Sequence, residues 1–277
     1  MTLPALAITQ KPAAVGDAPT VVWVHGYTMS AQAWHPLWQR MPQFAHVGVD
    51  LPGHGATAPW PSTATLGDVG SAVAEVMREY AATRLVGLSF GSAVALEATL
   101  RGGPVDRLVM AAPTINERVD DDPHARDRVF ELARGRQAGF TSERLASIWM
   151  ASPPDIFKGL SRHPEAWRHL AGVIGKHTFD EYLNGSMIGI LMSEQDDAML
   201  REVGARTTVI VGSDDMPRFV RNAERLRIGI ADCTVHTLPG VGHIPLFEQP
   251  VESVKIMSEF LSSESAAGDA LDRCGRS

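Results

Sequence analysis

The chain has 277 residues, 44% hydrophobic and 21% charged, a balance that suits a globular protein with a substantial core. Its net charge of -7 argues against nucleic acid or an anionic membrane as the main partner. Its two cysteines, Cys233 and Cys274, are too few for a disulfide framework or a cysteine-based metal site. No apolar run approaches the ~20 residues of a membrane span. The opening residues show neither a basic start nor a long apolar stretch, so a cytoplasmic protein is expected.

In chain order, "TVVWV" over Thr20–Val24 predicts a strand that ends at His25-Gly26. An amphipathic helix carrying Trp34, Leu37 and Met41 toward a core is expected next. "AHVGVD" over Ala45–Asp50 predicts a second strand, closed by the turn "LPGHG". Leu66–Tyr80 has apolar residues at helical spacing, and Arg84–Leu88 predicts a strand followed by a helix over Phe90–Arg101. "DRLVMAA" over Asp106–Ala112 predicts the next strand. From 114 to 202 the patterns are all helical, broken by Pro153-Pro154, Pro164 and Gly185. The strand rhythm resumes at Thr207–Val211, with a helix near Arg218–Arg227, a buried strand over Cys233–Leu238 that holds Cys233, and a last helix over Pro245–Leu261.

Strands alternating with helices imply βαβ units, and so a mostly parallel central sheet flanked by helices. The expected organisation is an α/β core in two parts, 1–113 and 203–262, with an all-helical cap at 114–202 inserted between sheet strands. The polar residues 263–277, with Cys274 among them, are expected to form a disordered tail that does not pair with Cys233.

At the turn after Arg84–Leu88 stands Gly87-Leu88-Ser89-Phe90-Gly91, which fits G-x-S-x-G between a strand and a helix. The glycines let the chain bend while Ser89 takes a strained conformation, and the helix N-terminus favours a developing negative charge. A serine needs a base and an orienting acid to act as a nucleophile. "LPGVGH" places His243 in a loop after a late strand, and "GSDD" places Asp214 and Asp215 in another. All these loops are expected at the C-terminal edge of one sheet.

With "VHGYTMSAQAW", "DLPGHG", "GLSFG", and "GSDD" with "GVGH" in this order, the sequence resembles the α/β-hydrolase superfamily, in its cap-bearing serine hydrolase branch. The resemblance spans about residues 20 to 261, apart from the cap. It implies Ser89 as nucleophile, His243 as base and then acid, and Asp215 as the acid, with Asp214 its rival. The assignment to Asp215 follows the family's Gly-x-x-Asp spacing, framed by Gly212. Glu117, in the region where a few relatives place the acid, is a poor candidate. The resemblance also implies an oxyanion hole formed by the backbone N–H groups of Phe90 and Tyr27. Relatives usually start the sheet with a β-hairpin; here "ALAIT" gives a single strand or the edge is shortened.

Trp149, Met150, Phe157 and Met187 are expected either to line an acyl pocket or to pack helices against each other. His25 and His54 read as structural turn residues. His163, His169 and His177 are read as lacking a carboxylate at i, i+4, so no metal site is expected. No phosphate or dinucleotide loop is present, so no cofactor is expected. The implied function is a serine hydrolase, most of all carboxylesterase-like, that cleaves an ester, thioester or related carbonyl compound of small-molecule acyl type through an acyl-enzyme on Ser89. The alternatives are a non-hydrolytic enzyme of this fold (acyltransferase, lyase or perhydrolase) and a ligand-sensing receptor that retains the same residues. Nothing in the sequence sets the oligomeric state.

Overall fold

The computed structural model describes residues 3–116 and 123–263. Glu117, Cys274 and the expected disordered tail, apart from Ser263, lie outside the described residues. The strands are β1 (Ile8–Lys11), β2 (Thr20–Val24), β3 (Ala45–Val49), β4 (Arg84–Leu88), β5 (Arg107–Ala111), β6 (Arg206–Gly212) and β7 (Cys233–Leu238). They form a seven-stranded sheet in the order β1-β3-β2-β4-β5-β6-β7. Only β1 runs antiparallel, paired with β3, and it is the single strand found where a hairpin or a shortened edge was in question.

The near-continuous apolar runs of β2, β4, β5 and β6 have a simple cause, because both faces of the sheet are covered. Successive side chains point to opposite faces. Trp23, Val86, Leu88, Val109, Ala111 and Ile210 therefore enter one core, while Val22, Val24, Leu85, Leu108, Met110 and Val209 enter the other. Burying each of the Val, Leu, Ile and Met side chains contributes roughly 1.5–3 kcal/mol, so the two cores fix the sheet's register. The register sets Val24 beside Gly87, Leu88 beside Ala111, and Gly212 beside Leu238. The C-terminal ends of the parallel strands are thus level, and every loop leaving them opens on the same edge.

Helices α1 (His35–Trp38), α2 (Leu66–Glu79) and α3 (Phe90–Leu100) lie between strands in the first half, α10 (Pro217–Gly229) lies between β6 and β7, and α11 (Pro245–Glu248) and α12 (Pro250–Ser262) follow β7. α2 starts in a capping box, with the Thr65 hydroxyl accepting from the Asp68 N–H and the Asp68 carboxylate accepting from the Thr65 N–H. Between β5 and β6 run α4 (Pro123–Gln137), α5 (Ser142–Trp149), α6 (Pro164–Ile174), α7 (Glu181–Asn184), α8 (Ile188–Leu191) and α9 (Asp197–Arg201), and the described residues there contain no strand.

Three expectations need correction. Trp34, Leu37 and Met41 are buried, but they sit on a short 3-10 turn, Ala31–Trp34, and the single turn α1, not on one amphipathic helix. Pro42 has no N–H to continue the helix beyond Met41. The last helix is split at Gln249, whose φ of -128° and ψ of 68° are not helical, because Pro250 restricts the residue before it. Cys233 begins an edge strand and is only half-buried.

Candidate active site

The bend between β4 and α3 is built by sterics. A Cβ on Gly87 would lie 2.4 Å from the Gly91 carbonyl oxygen, and one on Gly91 would lie 2.3 Å from that of Val24. Neither site admits a side chain, because both obstacles are backbone. Ser89 has φ 52° and ψ -123°, a strained conformation for a residue with a Cβ. The surrounding bonds hold it: its N–H donates to the Ala111 carbonyl at 2.8 Å, and Ser92 Oγ donates to the Ser89 carbonyl at 2.6 Å. Phe90 is the first residue of α3, so its N–H is among those a helix leaves without an internal acceptor.

Ser89 Oγ lies 2.9 Å from His243 Nε2. On the other side of the imidazole, Nδ1 lies 2.9 Å from Asp215 Oδ1 and 3.1 Å from Oδ2. A carboxylate only accepts, so Nδ1 carries the proton and Nε2 presents its lone pair to the serine hydroxyl. His243 is buried under the Phe219 ring, with centroids 4.1 Å apart. Asp215 is buried and also accepts the Met216 N–H at 2.7 Å. Asp214 faces solvent, where it takes the Ser213 hydroxyl. Of the two aspartates, only Asp215 meets the histidine.

The loop after β2 runs beside the serine, since a Cβ on Gly26 would sit 3.5 Å from Ser89 Cβ. Two groups hold it, His25 and Asp50. His25 donates from Nδ1 to the Gly26 carbonyl at 2.8 Å and accepts the Leu51 N–H on Nε2 at 3.1 Å. Burial pushes its pKa down to about 4, against the Gly26 bond and the Asp50 charge, which act the other way. The Asp50 carboxylate accepts the Ala31 N–H at 2.7 Å and the Ala56 N–H at 2.9 Å, joining this loop to the "LPGHG" turn. His54 donates to the Pro52 carbonyl at 2.9 Å, and burial holds it well below the usual imidazole range. His25 and His54 are therefore framework residues here.

The Tyr27 ring meets Trp149 edge-on at 5.6 Å, and Trp149 meets Phe157 at 6.2 Å. Met150 is buried in the same apolar cluster. Met187 is placed apart from them, in the other core with Phe90. His35 is exposed on the surface of α1. The reading of His177 needs correction: Glu181 stands four residues on, and its Oε1 lies 3.0 Å from His177 Nε2. Among the described residues no three His, Cys, Asp or Glu side chains group as metal ligands. Sequence reasoning also missed Asp50, Glu181 and Glu248, whose carboxylates are spent on backbone amides or on a distant loop.

Among the described residues no helix is long and apolar enough to cross a membrane. A family model described as "Alpha/beta hydrolase family" matches residues 21–256. The chain is 26% identical to "Monoacylglycerol lipase abhd6-B" of Xenopus laevis, a match covering 90% of this chain and 77% of that protein. Among solved structures it is similar to MenH from S. aureus, with a TM-score of 0.76 and 18% identity over 92% of this chain and 97% of that one. It is also similar to a thermophilic esterase from Thermogutta terrifontis, with a TM-score of 0.73 and 20% identity over 92% of each chain. These two structural likenesses speak to the fold alone.

Proposed function

Because the chain belongs to the alpha/beta hydrolase family, we propose that it is a serine hydrolase that cleaves an ester, thioester or related carbonyl through an acyl-enzyme on Ser89. The observation that carries this reading is the continuous line of contacts from Ser89 Oγ through His243 to Asp215. As Oγ attacks the carbonyl carbon, its proton passes to His243 Nε2, and Asp215 stabilises the imidazolium that forms. The carbonyl π electrons move onto oxygen, and the N–H groups of Phe90 and Tyr27 receive that charge. Collapse of the tetrahedral adduct expels the alcohol or thiol, which takes the proton from Nε2. Water then repeats the sequence on the acyl-enzyme and frees the acid and Ser89.

Helices α4 to α9 serve as a cap over the strand ends, taken as residues 114–202. Trp149, Met150 and Phe157 offer an apolar wall beside Tyr27 that suits an acyl chain. Met187, in the opposite core that also holds Phe90, would border the pocket from the other side. The monoacylglycerol lipase likeness adds monoacylglycerols to the substrates worth offering. The test is rapid mixing with short p-nitrophenyl esters, thioesters, a lactone and monoacylglycerols, followed by acid quench and mass spectrometry. A burst of leaving group matching the enzyme concentration is expected, with the acyl mass on the Ser89 peptide. Turnover that survives undiminished in Ser89→Ala contradicts the mechanism.

A further inference from the structure

The hydroxyl of Tyr27, in the loop after β2, donates to Glu181 Oε1 at the start of α7. The same oxygen takes His177 Nε2 at 3.0 Å, and the Tyr182 hydroxyl lies 3.2 Å from that of Tyr27. One oxygen of one carboxylate therefore joins the loop beside Ser89 to the helical segment between β5 and β6. The junction is dry: the Glu181 side chain is 6% exposed and that of His177 2%. Burial alone would raise the Glu181 carboxyl, but the bonds from His177 and Tyr27 and the His177 charge outweigh it and hold it below the usual carboxylate range.

This junction is an expensive way to join two layers. A buried charged contact is often matched or exceeded in stability by apolar packing of similar volume. Its accounts are also incomplete, since His177 Nδ1 and the neighbouring His54 Nε2 have no partner, although the two rings stack at 4.5 Å. Phe179, between His177 and Glu181, has φ 58°, a left-handed conformation that a bulky residue rarely adopts. Such strain persists only where its surroundings impose it. What the polar contact supplies, and apolar packing would not, is one fixed position for the Tyr27 side chain, and with it the Tyr27 amide.

We propose that Glu181 and His177 are positioning residues: through the Tyr27 hydroxyl they hold the loop whose Tyr27 N–H binds the oxyanion. The proposal rests on the reading of Tyr27 and Ser89 given above. It makes formation of the oxyanion hole depend on the cap being seated.

The test combines amide hydrogen exchange over residues 25–31 with steady-state kinetics in Y27F, E181A, E181Q and the double variant Y27F/E181A. Y27F and E181A are expected to speed exchange in this segment, and to lower kcat about 10- to 100-fold at nearly unchanged KM. E181Q keeps the shared oxygen and is expected to stay within about 3-fold of wild type, while the double variant is no worse than the worse single one. Wild-type exchange in both Y27F and E181A overturns the proposal. So does a lower melting temperature with unchanged kcat, or E181Q as slow as E181A. If the wild type forms no acyl-enzyme at Ser89, the reading beneath the kinetic arm fails, and the exchange arm still decides whether the latch exists.

Discussion

Glu248 brackets His243: its carboxylate accepts the N–H of Gly242 at 2.8 Å and that of Ile244 at 3.0 Å, the residues on either side. The Glu248 side chain is fully buried, and α11 delivers it back under the loop that precedes it. A glycine-rich loop would otherwise sample many conformations, most of them with the imidazole out of reach of Ser89. Asp215 orients the ring; Glu248 fixes the backbone that carries it.

Removing this carboxylate is therefore expected to damage both stability and turnover. In Glu248→Ala two buried N–H groups lose their acceptor, each costing roughly 1–3 kcal/mol. Glu248→Gln keeps one accepting oxygen and falls between. Urea unfolding at neutral pH, read beside kcat on a short ester, checks the order. A Glu248→Ala protein within about 0.5 kcal/mol of wild type would remove the bracket from the account.

The aspartates give a sharper contrast, because they are neighbours in sequence and opposites in setting. Asp215→Asn replaces an accepting oxygen facing His243 Nδ1 with a donor or a weaker acceptor and favours the wrong tautomer, so kcat is expected to drop by about 10⁴. Asp214→Asn alters a solvent-facing group and is expected to change kcat less than 3-fold, as surface changes usually do. Matched kinetics on the two variants decide it, and the reverse ranking moves the acid to Asp214.

Much of this site was legible because its parts are local. The strands announce themselves as apolar runs, and the glycines around Ser89 have a steric reason that five residues suffice to suggest. Between Asp214 and Asp215 the local residues do not choose; the Gly-x-x-Asp spacing of the resembled family points to Asp215, the aspartate that touches His243. The residues that stayed hidden act across long distances in sequence. Glu181 sits 154 positions from Tyr27, and no local pattern links them. Even the i, i+4 pair His177 and Glu181 carries no signal of its own, since a lone His and Glu at that spacing is common on exposed helix faces. Glu248 lies in a stretch whose pattern predicts one helix to Leu261, and only the Gln249-Pro250 break that ends α11 turns its carboxylate back toward the loop.

Three buried histidines give the fold a pH dependence: His54, which burial holds well below the usual imidazole range, His25 and His46. His25 is held neutral down to about pH 4 by burial, and His46 likewise, as it accepts the Trp23 Nε1–H on Nδ1 and donates from Nε2 to the Met41 carbonyl. The unfolded chain takes up these protons near pH 6.5. Stability is then full above pH 6.5 and declines as the pH falls toward 4, by ~2–3 kcal/mol per histidine at pH 4.5. Urea unfolding at pH 7.5 and 4.5 measures the difference, and His46→Gln is expected to shrink it by one histidine's share. An unchanged difference in that variant contradicts the assignment.

Labelling with a fluorophosphonate probe asks whether Ser89 is a nucleophile activated by His243. The wild-type protein is expected to label stoichiometrically on the peptide containing Ser89, Ser89→Ala not to label, and His243→Ala to label at least about 10³-fold more slowly. A wild type that fails to label, or a Ser89→Ala protein that labels equally, would contradict that role.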